Sequence, residues 1–385
     1  MQMEEVRLYH RPVMVPWIIL MMLSWSEGPA GLWDGLDHPV FILPVVSRPD
    51  QPPSAPVAVR RESLPRTLDG DELLKIGDLH EVQNHLQEAL PYYQRALAAF
   101  RAKKDRRGEA AALVRIGSIH ERQGSHAEAL AALDAAVPIL ATVGEDRPHA
   151  HALLKRGRIL ESLGRMAEAQ EAYDHARTLF QRSHDRKGYA ESLIRLGSLW
   201  SAQDRVAEAL PILQTALIDS RDRHDAAQQM AALAVTGDAR VRAGEPGVAR
   251  TLYEEGLQLA ETQRDVRAEA DVRIRLARLH FNEARYAEGL KTAQRALALY
   301  QSLRDRSQEA NTLSLLGSLY QAEGNTALAA EHHERALTLY RALRDRMREA
   351  ASLANLAAAY ETSGSLKEAQ ETQQKMIFLL QSSVQ

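Results

Sequence analysis

The sequence predicts an all-α protein built as a solenoid of eight helix-turn-helix repeats. The first observation is a column of small residues that recurs every forty positions without insertion or deletion. Its members are Gly77, Gly117, Gly157, Gly197, Gly237, Ala277, Gly317 and Ala357. A second column keeps a constant distance from the first and comprises Ala89, Ala129, Ala169, Ala209, Ala249, Gly289, Ala329 and Ala369. Small residues at one phase of a repeat indicate places where two helices approach too closely for a larger side chain.

The first helix of each unit is predicted from an apolar pattern around the small residue. A leucine lies four positions before it in most units, at Leu73, Leu113, Leu153, Leu193, Leu233, Leu313 and Leu353. A larger residue follows three positions after it, as at Leu160, Trp200, Tyr320 and Tyr360. Because residues i, i+4 and i+7 share one helical face, this spacing indicates an amphipathic helix.

A turn and a second helix complete each unit. Gly124, Gly164, Gly244, Gly324 and Gly364 share one phase, which Asn84 and Asp204 occupy in two other units. These residue types tolerate the left-handed backbone that ends a helix. A second apolar stripe follows, as in Ala89, Tyr93, Ala96 and Phe100. Aspartates then recur where the next helix should begin and are expected to accept hydrogen bonds from its free amides: Asp105, Asp185, Asp225, Asp265, Asp305 and Asp345.

These units resemble the tetratricopeptide repeat, in a form forty residues long instead of the common thirty-four. The resemblance is carried by first-helix and second-helix positions such as Leu313, Leu316, Gly317, Tyr320, Ala329, Ala336 and Leu337, and it extends from about Asp71 to Leu380. It implies a right-handed alpha solenoid whose concave groove is lined by the first helices. The sixth unit departs most, with Arg273, Ala277, Ala284 and Ala293 at repeat positions, which predicts a looser joint there.

Composition and motifs give no indication of an enzyme. Cysteine is absent and the net charge is -3, so thiolate chemistry is excluded and nucleic acid is not an expected partner. The sequence contains no phosphate-binding glycine loop, no dinucleotide fingerprint, no paired histidines around a glutamate and no serine elbow. We therefore predict no catalytic residues and no cofactor.

Histidine is the remaining candidate for metal chemistry. His80, His120 and His280 fall at the position of Tyr320 and Tyr360, which indicates packed aromatic substitutes. Ligands of one metal must converge on one point, whereas these residues lie a repeat or more apart. We predict no metal site.

The first seventy residues differ from the repeats. Residues 1–26 contain basic residues and an apolar run from Val13 to Leu23, which suits a secretory signal peptide and hence export to the periplasm. A disordered leader, an over-extended gene start in a cytoplasmic protein or a weak membrane anchor are the alternatives. Residues 27–69 are proline-rich and predict an extended, disordered linker. The array is predicted over residues 70–382, with no membrane span inside it.

Charged columns on the first helices are the candidate binding residues. By the resemblance, they line the groove: Lys75, Asp78, Arg115, Lys155, Arg158, Arg195, Asp238, Arg275 and Arg278. Such charges also suit a plain solvated helix face. The functional hypothesis is that they hold the backbone or acidic side chains of an extended peptide, so that the protein is a scaffold or adaptor that binds a segment of another protein. The alternative is a sensing module that changes superhelical pitch when it binds a peptide signal. Partner identity and oligomeric state stay open.

Overall fold

The computed structural model describes residues 68–381, and within this range it contains sixteen α-helices and no strand. The first four repeats comprise α1 (Gly70–Val82), α2 (Leu86–Lys103), α3 (Arg106–Arg122), α4 (His126–Val143), α5 (Asp146–Ser162), α6 (Met166–Arg182), α7 (Arg186–Ala202) and α8 (Val206–Asp222). The last four comprise α9 (Ala226–Arg242), α10 (Pro246–Gln263), α11 (Val266–Asn282), α12 (Tyr286–Ser302), α13 (Arg306–Ala322), α14 (Thr326–Leu343), α15 (Arg346–Thr362) and α16 (Leu366–Gln381). The predicted all-α class with eight helix pairs is confirmed. The signal-peptide and linker predictions lie outside the described residues.

The described chain divides into two compact units within α7, between Leu196 and Gly197. In the unit that ends at residue 196, each helix from α1 to α5 packs on the next one, and the first helix α3 also contacts both α1 and α5. In the unit that starts at residue 197, α9 to α16 pack in the same way, and α9, α11, α13 and α15 form the row of first helices. Within each unit, residues at equivalent positions of successive first helices therefore lie side by side.

The two columns of small residues lie at helix contacts, as predicted. A Cβ added at Gly157 would lie 2.4 Å from the ring of Tyr173, and one added at Gly237 would lie 2.3 Å from the ring of Tyr253. In these repeats the first helix thus receives a large side chain from its own second helix at the glycine. The alanines of the second column from Ala89 to Ala249 are fully buried.

Local backbone features also agree with the sequence analysis. The turn between the two helices of each unit contains one residue with positive φ, at Asn84, Gly124, Gly164, Asp204, Gly244, Ala284, Gly324 and Gly364. The six predicted aspartates each accept a hydrogen bond from the backbone amide three residues later. The caps satisfy amides that the first turn of a helix leaves without a partner.

In the sixth unit, both residues at the contact between the two helices are small, whereas the neighbouring fifth and seventh units have a glycine opposite a larger side chain. Ala277 and Ala293 are both fully buried, in a cluster that includes Leu319 of the next unit. Arg273, which replaces the usual leucine, forms ion pairs with Glu261 and Glu269. The unit also contains the only alanine with positive φ among the described residues, Ala284 at 56°.

One helix of the described range, α4, is long and apolar enough to cross a membrane by length and composition, with a mean hydropathy of 1.4. Its residues Leu133, Ala136 and Leu140 are buried against neighbouring helices of the unit. A core helix has the same composition, so this finding is weak evidence for a membrane span.

Candidate peptide-binding face

The predicted charged residues lie on one face of the first helices, three positions apart within a helix and forty between helices. We call this the first-helix face and define it by Lys75, Asp78, Arg115, Lys155, Arg158 and Arg195 in one unit and by Asp238, Arg275 and Arg278 in the other. Side chains three apart in a helix are neighbours on its surface. Adjacent first helices bring the columns of successive repeats into contact.

Asp78 is the centre of a hydrogen-bonded cluster between the first two repeats. Arg115 of α3 donates to its two carboxylate oxygens, through Nε at 2.6 Å and Nη2 at 3.1 Å. The hydroxyl of Tyr93 lies 2.8 Å from Asp78 and 2.7 Å from Glu81, so its one proton is shared between two carboxylates. Burial and these carboxylates raise the pKa of Tyr93, which keeps the hydroxyl a donor. Burial lowers the pKa of Arg115, but Asp78 outweighs it and the pKa is raised.

The same spacing recurs between the second and third repeats, again with the carboxylate in the earlier repeat and the arginine in the later one. Arg158 of α5 donates through Nε at 3.1 Å and Nη2 at 2.6 Å to Oε1 of Glu121 in α3. In the third repeat, the hydroxyl of Tyr173 donates to Glu161 at 2.8 Å. Burial raises the pKa of Tyr173, as does the charge of Glu161, while the nearby charge of Arg195 lowers it. A tyrosine and a carboxylate thus interact at this position again.

Exposure separates the predicted basic residues of this unit. Lys75 is exposed, Arg115, Lys155 and Arg158 are half-buried, and Arg195 is only 5% exposed. A ligand at the surface can therefore reach Lys75 more easily than Arg195. Among the predicted basic residues of this unit, exposure therefore falls from Lys75 to the buried Arg195.

The second unit contains a cluster of the same composition around Asp238. Arg275 of α11 donates through Nε to both carboxylate oxygens at 3.1 Å, and the hydroxyl of Tyr253 donates to Oδ1 at 2.6 Å. Arg275 also donates through Nη1 to the backbone oxygen of Asp271. Burial raises the pKa of Tyr253, and the charge of Asp238 adds to this effect while the charges of Arg275 and Arg278 oppose it. Arg278 therefore lies within the electrostatic reach of the cluster.

Asp271 is a further carboxylate on the first helix α11, four residues before Arg275. Its side chain is buried and accepts a hydrogen bond from Tyr300 at 2.5 Å. Burial raises the pKa of this carboxyl, while the hydrogen bond from Tyr300 and the charge of Arg275 lower it. The sequence analysis did not include Asp271 or Tyr300.

A cavity of about 490 Å³ lies away from the predicted residues, between α4, α5 and α6. Its lining comprises Asp134, Val137, Leu153, Arg156, Glu171, Ala172 and His175. Arg156 donates to Asp134 at 2.6 Å across it. Within residues 68–381, no group of three or more histidine, aspartate or glutamate side chains has an arrangement that could hold a metal ion.

The first-helix face presents hydrogen-bond donors and acceptors, held in place by ion pairs, along the rows of first helices. Comparison with protein families identifies the scaffold that presents them. The tetratricopeptide repeat model matches residues 72–142, 149–217, 267–342 and 308–377. The chain belongs to the tetratricopeptide repeat family. The forty-residue resemblance in the sequence is therefore confirmed.

Several solved tetratricopeptide-like structures have the same fold. The apo form of the quorum sensor NprR from B. thuringiensis matches with a TM-score of 0.63 and 13% identity, over 82% of this chain and 89% of that one. A Rap protein complexed with competence and sporulation factor matches with a TM-score of 0.61 and 13% identity, over 81% and 86%. A STAND protein with a tetratricopeptide repeat sensor from Pyrococcus horikoshii matches with a TM-score of 0.60 and 15% identity, over 82% and 48%, so this chain spans about half its length. Comparison with curated proteins gave no match.

The tyrosines whose hydroxyls donate to carboxylates of the first helices are the residues near the first-helix face that sequence reasoning missed. Tyr93, Tyr173 and Tyr253 occur in alternate repeats, with Leu133 and Leu213 between them. Sequence analysis assigned this column to apolar packing, and the rings are indeed buried. A tyrosine hydroxyl in the first, third and fifth copies was the available signal, since a buried tyrosine needs a hydrogen-bond partner.

Proposed function

We propose that this tetratricopeptide protein is an interaction module that binds an extended peptide on the first-helix face of the unit that ends at residue 196. The observation that carries the proposal is the pairing of charges between successive repeats. Asp78 with Arg115 and Glu121 with Arg158 have the same separation of 37 residues along the chain. The pairs hold polar side chains at regular intervals along the row formed by α1, α3 and α5.

Fixed side chains favour peptide binding because less conformational entropy is lost when the complex forms. Arg115 uses two of its N–H groups on Asp78, and a guanidinium has five. The other N–H groups can donate to peptide carbonyls or carboxylates. An extended chain presents such acceptors at regular intervals, which matches a row of repeats.

The ligand class follows from the charge of the exposed side chains. Lys75 is exposed and has no ion pair with another described residue, whereas the arginines that form ion pairs have part of their charge compensated. Lys75 therefore favours a peptide with acidic side chains or a C-terminal carboxylate, and the half-buried Lys155, in the same column two repeats later, adds a second basic group to this face. The proposal gives the chain no catalytic residue, since tetratricopeptide repeats typically serve as interaction scaffolds.

The test starts from peptides selected on the full-length chain from a random displayed library. We expect enrichment of acidic peptides. Binding of a selected peptide should weaken at least about tenfold in the double variant Lys75→Glu with Lys155→Glu, because two attractive charges become repulsive. Arg195 stays unchanged in this design because reversing a buried charge would damage the fold.

A matched control has the same change of charge on α2. The double variant Arg95→Glu with Lys103→Glu alters two exposed side chains outside the first-helix face and should bind like the wild type. Circular dichroism verifies that both double variants remain helical. Equal binding by the wild type and the Lys75/Lys155 variant, or equal losses in both double variants, would overturn the proposal.

The second candidate function is a sensing module that responds to a peptide. It is favoured by the fold shared with NprR, described as a quorum sensor, and with a Rap protein complexed with a signalling factor. Small-angle scattering of the full chain with and without a selected peptide separates the two functions. A compacted profile would support a sensor, and an unchanged profile would support a scaffold.

A further inference from the structure

The last helix of the second unit has an open face at positions where earlier second helices are covered. In α14, Leu337 is 6% exposed because it packs against Leu353 and Leu356 of α15. The equivalent residue in α16, forty positions later, is Ile377, which is 50% exposed. Leu380 is likewise open, whereas its equivalent Tyr340 is buried. The helix keeps apolar side chains at helix-contact positions, and no described residue covers them.

Four exposed residues and the half-buried Gln373 form a stripe with the spacing of a helix-packing seam. Leu366, Gln370, Gln373, Ile377 and Leu380 are separated alternately by four and three positions, which is the repeat of a coiled coil. The adjacent face of α16, with Ala369, Thr372 and Met376, packs on the preceding helices. The stripe is therefore a second, separate contact face of the helix.

We propose that the stripe binds a second copy of this chain, with the two α16 helices packed antiparallel. Within each repeat array, a second helix packs against a following first helix that runs in the opposite direction. An antiparallel α16 from a second copy continues that mode of packing. Antiparallel packing also sets the two helix dipoles in opposite directions.

The order of residues in the stripe favours an identical partner. From Leu366 to Ile377 the stripe is apolar, polar, polar, apolar, and it has the same order when reversed. An antiparallel pair can therefore place Leu366 opposite Ile377 of the second copy, and Gln370 opposite Gln373. Two glutamine amides can donate to and accept from each other, and a polar pair in a seam sets the register. Gln373 also donates to Glu361 of its own chain at 2.6 Å, which holds its side chain in place.

Disulfide cross-linking tests the contact and its direction, because the native chain contains no cysteine. In the double variant Leu366→Cys with Ile377→Cys, the two thiols of one chain lie roughly 16 Å apart along the helix, too far to bond to each other. We expect mild oxidation of the full-length double variant to give a covalent dimer. The single variant Ile377→Cys should cross-link much more slowly, since residue 377 does not face itself in the antiparallel pair.

The matched control is Ile218→Cys in α8, because Ile218 is 51% exposed but does not belong to the stripe. Cross-linking of the double variant no faster than that of Ile218→Cys would overturn the proposal. Equally fast cross-linking of the single variant Ile377→Cys would overturn the antiparallel arrangement.

Sedimentation equilibrium of the cysteine-free chain tests the reversible contact. We expect a dimer that dissociates on dilution, because one helix pair buries less area than a typical stable interface. Ile377→Lys should raise the dissociation constant at least about tenfold, whereas Ile218→Lys should leave it unchanged. Circular dichroism verifies that both variants fold. A wild-type chain that stays monomeric at every concentration would overturn the proposal, whatever the Ile377→Lys variant does.

Discussion

Arg275 donates through Nε to both carboxylate oxygens of Asp238, 37 residues earlier and one repeat away, at 3.1 Å. Arg115 and Asp78 form the corresponding pair in the other unit, and a buried tyrosine donates to the aspartate in both cases. The difference lies in exposure, since the Arg275 side chain is 16% exposed and that of Arg115 is 36% exposed. The arginine of the cluster is therefore more buried at Asp238 than at Asp78.

Asp238→Asn should destabilise the protein by about 2 kcal/mol, because it leaves a mostly buried guanidinium without its counter-charge. Asp78→Asn should cost less, about 1 kcal/mol or below, since water reaches its pair. Thermal unfolding monitored by circular dichroism measures both effects. Asp222→Asn, at an exposed position of the same unit as Asp238, is the control and should be close to neutral. Equal costs at Asp78 and Asp238 would contradict the role of burial.

Two glycines of the fifth repeat should respond in opposite directions to alanine. Gly237→Ala places a Cβ 2.3 Å from the ring of Tyr253, so we expect a loss of about 2 kcal/mol. At Gly256 the nearest atoms would lie 3.7 Å away, which is ordinary contact, and alanine favours a helix over glycine by about 0.5–1 kcal/mol. Gly256→Ala should therefore stabilise the protein. Denaturant titration gives the sign of each change, and the same sign for both would refute the close-approach argument.

Ala284→Gly should stabilise the sixth repeat. Ala284 has a φ of 56°, where an alanine Cβ is strained by about 1–2 kcal/mol and glycine is not. The greater backbone entropy of glycine in the unfolded state offsets part of this gain, so the expected net effect is about 1 kcal/mol. Ala243→Gly, at the C-terminal end of α9 in the fifth repeat, where φ is negative, should destabilise instead. A loss of stability in Ala284→Gly would contradict the predicted strain.

The sixth repeat should exchange its amide hydrogens faster than the third repeat of the other unit. Ala293 buries less apolar area at the helix contact than Tyr173 does, and Ala284 adds strain to the turn. Local opening should therefore cost less in α11 and α12 than in α5 and α6. Hydrogen exchange followed by mass spectrometry resolves these segments. Uniform protection would reject this prediction.

Acid should destabilise the seventh repeat through His333. The His333 ring is fully buried, and neither of its nitrogens has a hydrogen-bond partner. Burial lowers its pKa to about 4 from an ordinary value of 6.5. Below pH 6.5 the unfolded chain binds a proton that the folded chain binds only near pH 4. With respect to this group, the free energy of unfolding is therefore highest above pH 6.5. It decreases by about 3 kcal/mol in total as the pH falls toward 4.

His333→Leu is the variant that tests this dependence, because Leu133 and Leu213 occupy the same position in other repeats. Unfolding between pH 4 and pH 7 should show a shallower slope in the variant than in the wild type. His332→Leu alters the adjacent, less buried histidine and should keep most of the wild-type slope, because burial is the main cause of the low pKa of His333 and the charge of His332 only adds to it. Identical slopes in all three proteins would exclude His333 as the cause.

Periodicity predicted the local features of this protein because they depend on residues close together in the chain. The helices, the positive-φ turns and the aspartate caps each need a few residues of the right type within one or two turns of backbone. A column of glycines opposite bulky residues also follows from the repeat, since every unit packs its two helices in the same way. The position of Gly157 against Tyr173 could therefore be expected from the sequence.

The candidate site was predicted only in part. The columns that contain Asp78 and Arg115 were visible, but the pairing of these two residues was not, because a carboxylate can reach several cations and the choice depends on the spacing of neighbouring helices. The burial of Arg195, the bond from Tyr300 to Asp271 and the solvent-free environment of His333 likewise depend on side chains from different helices. The sequence by itself determined where the helices begin, end and approach each other. Only the tertiary structure decided which charges are paired or buried, since those properties arise from packing between residues that the repeat does not keep identical.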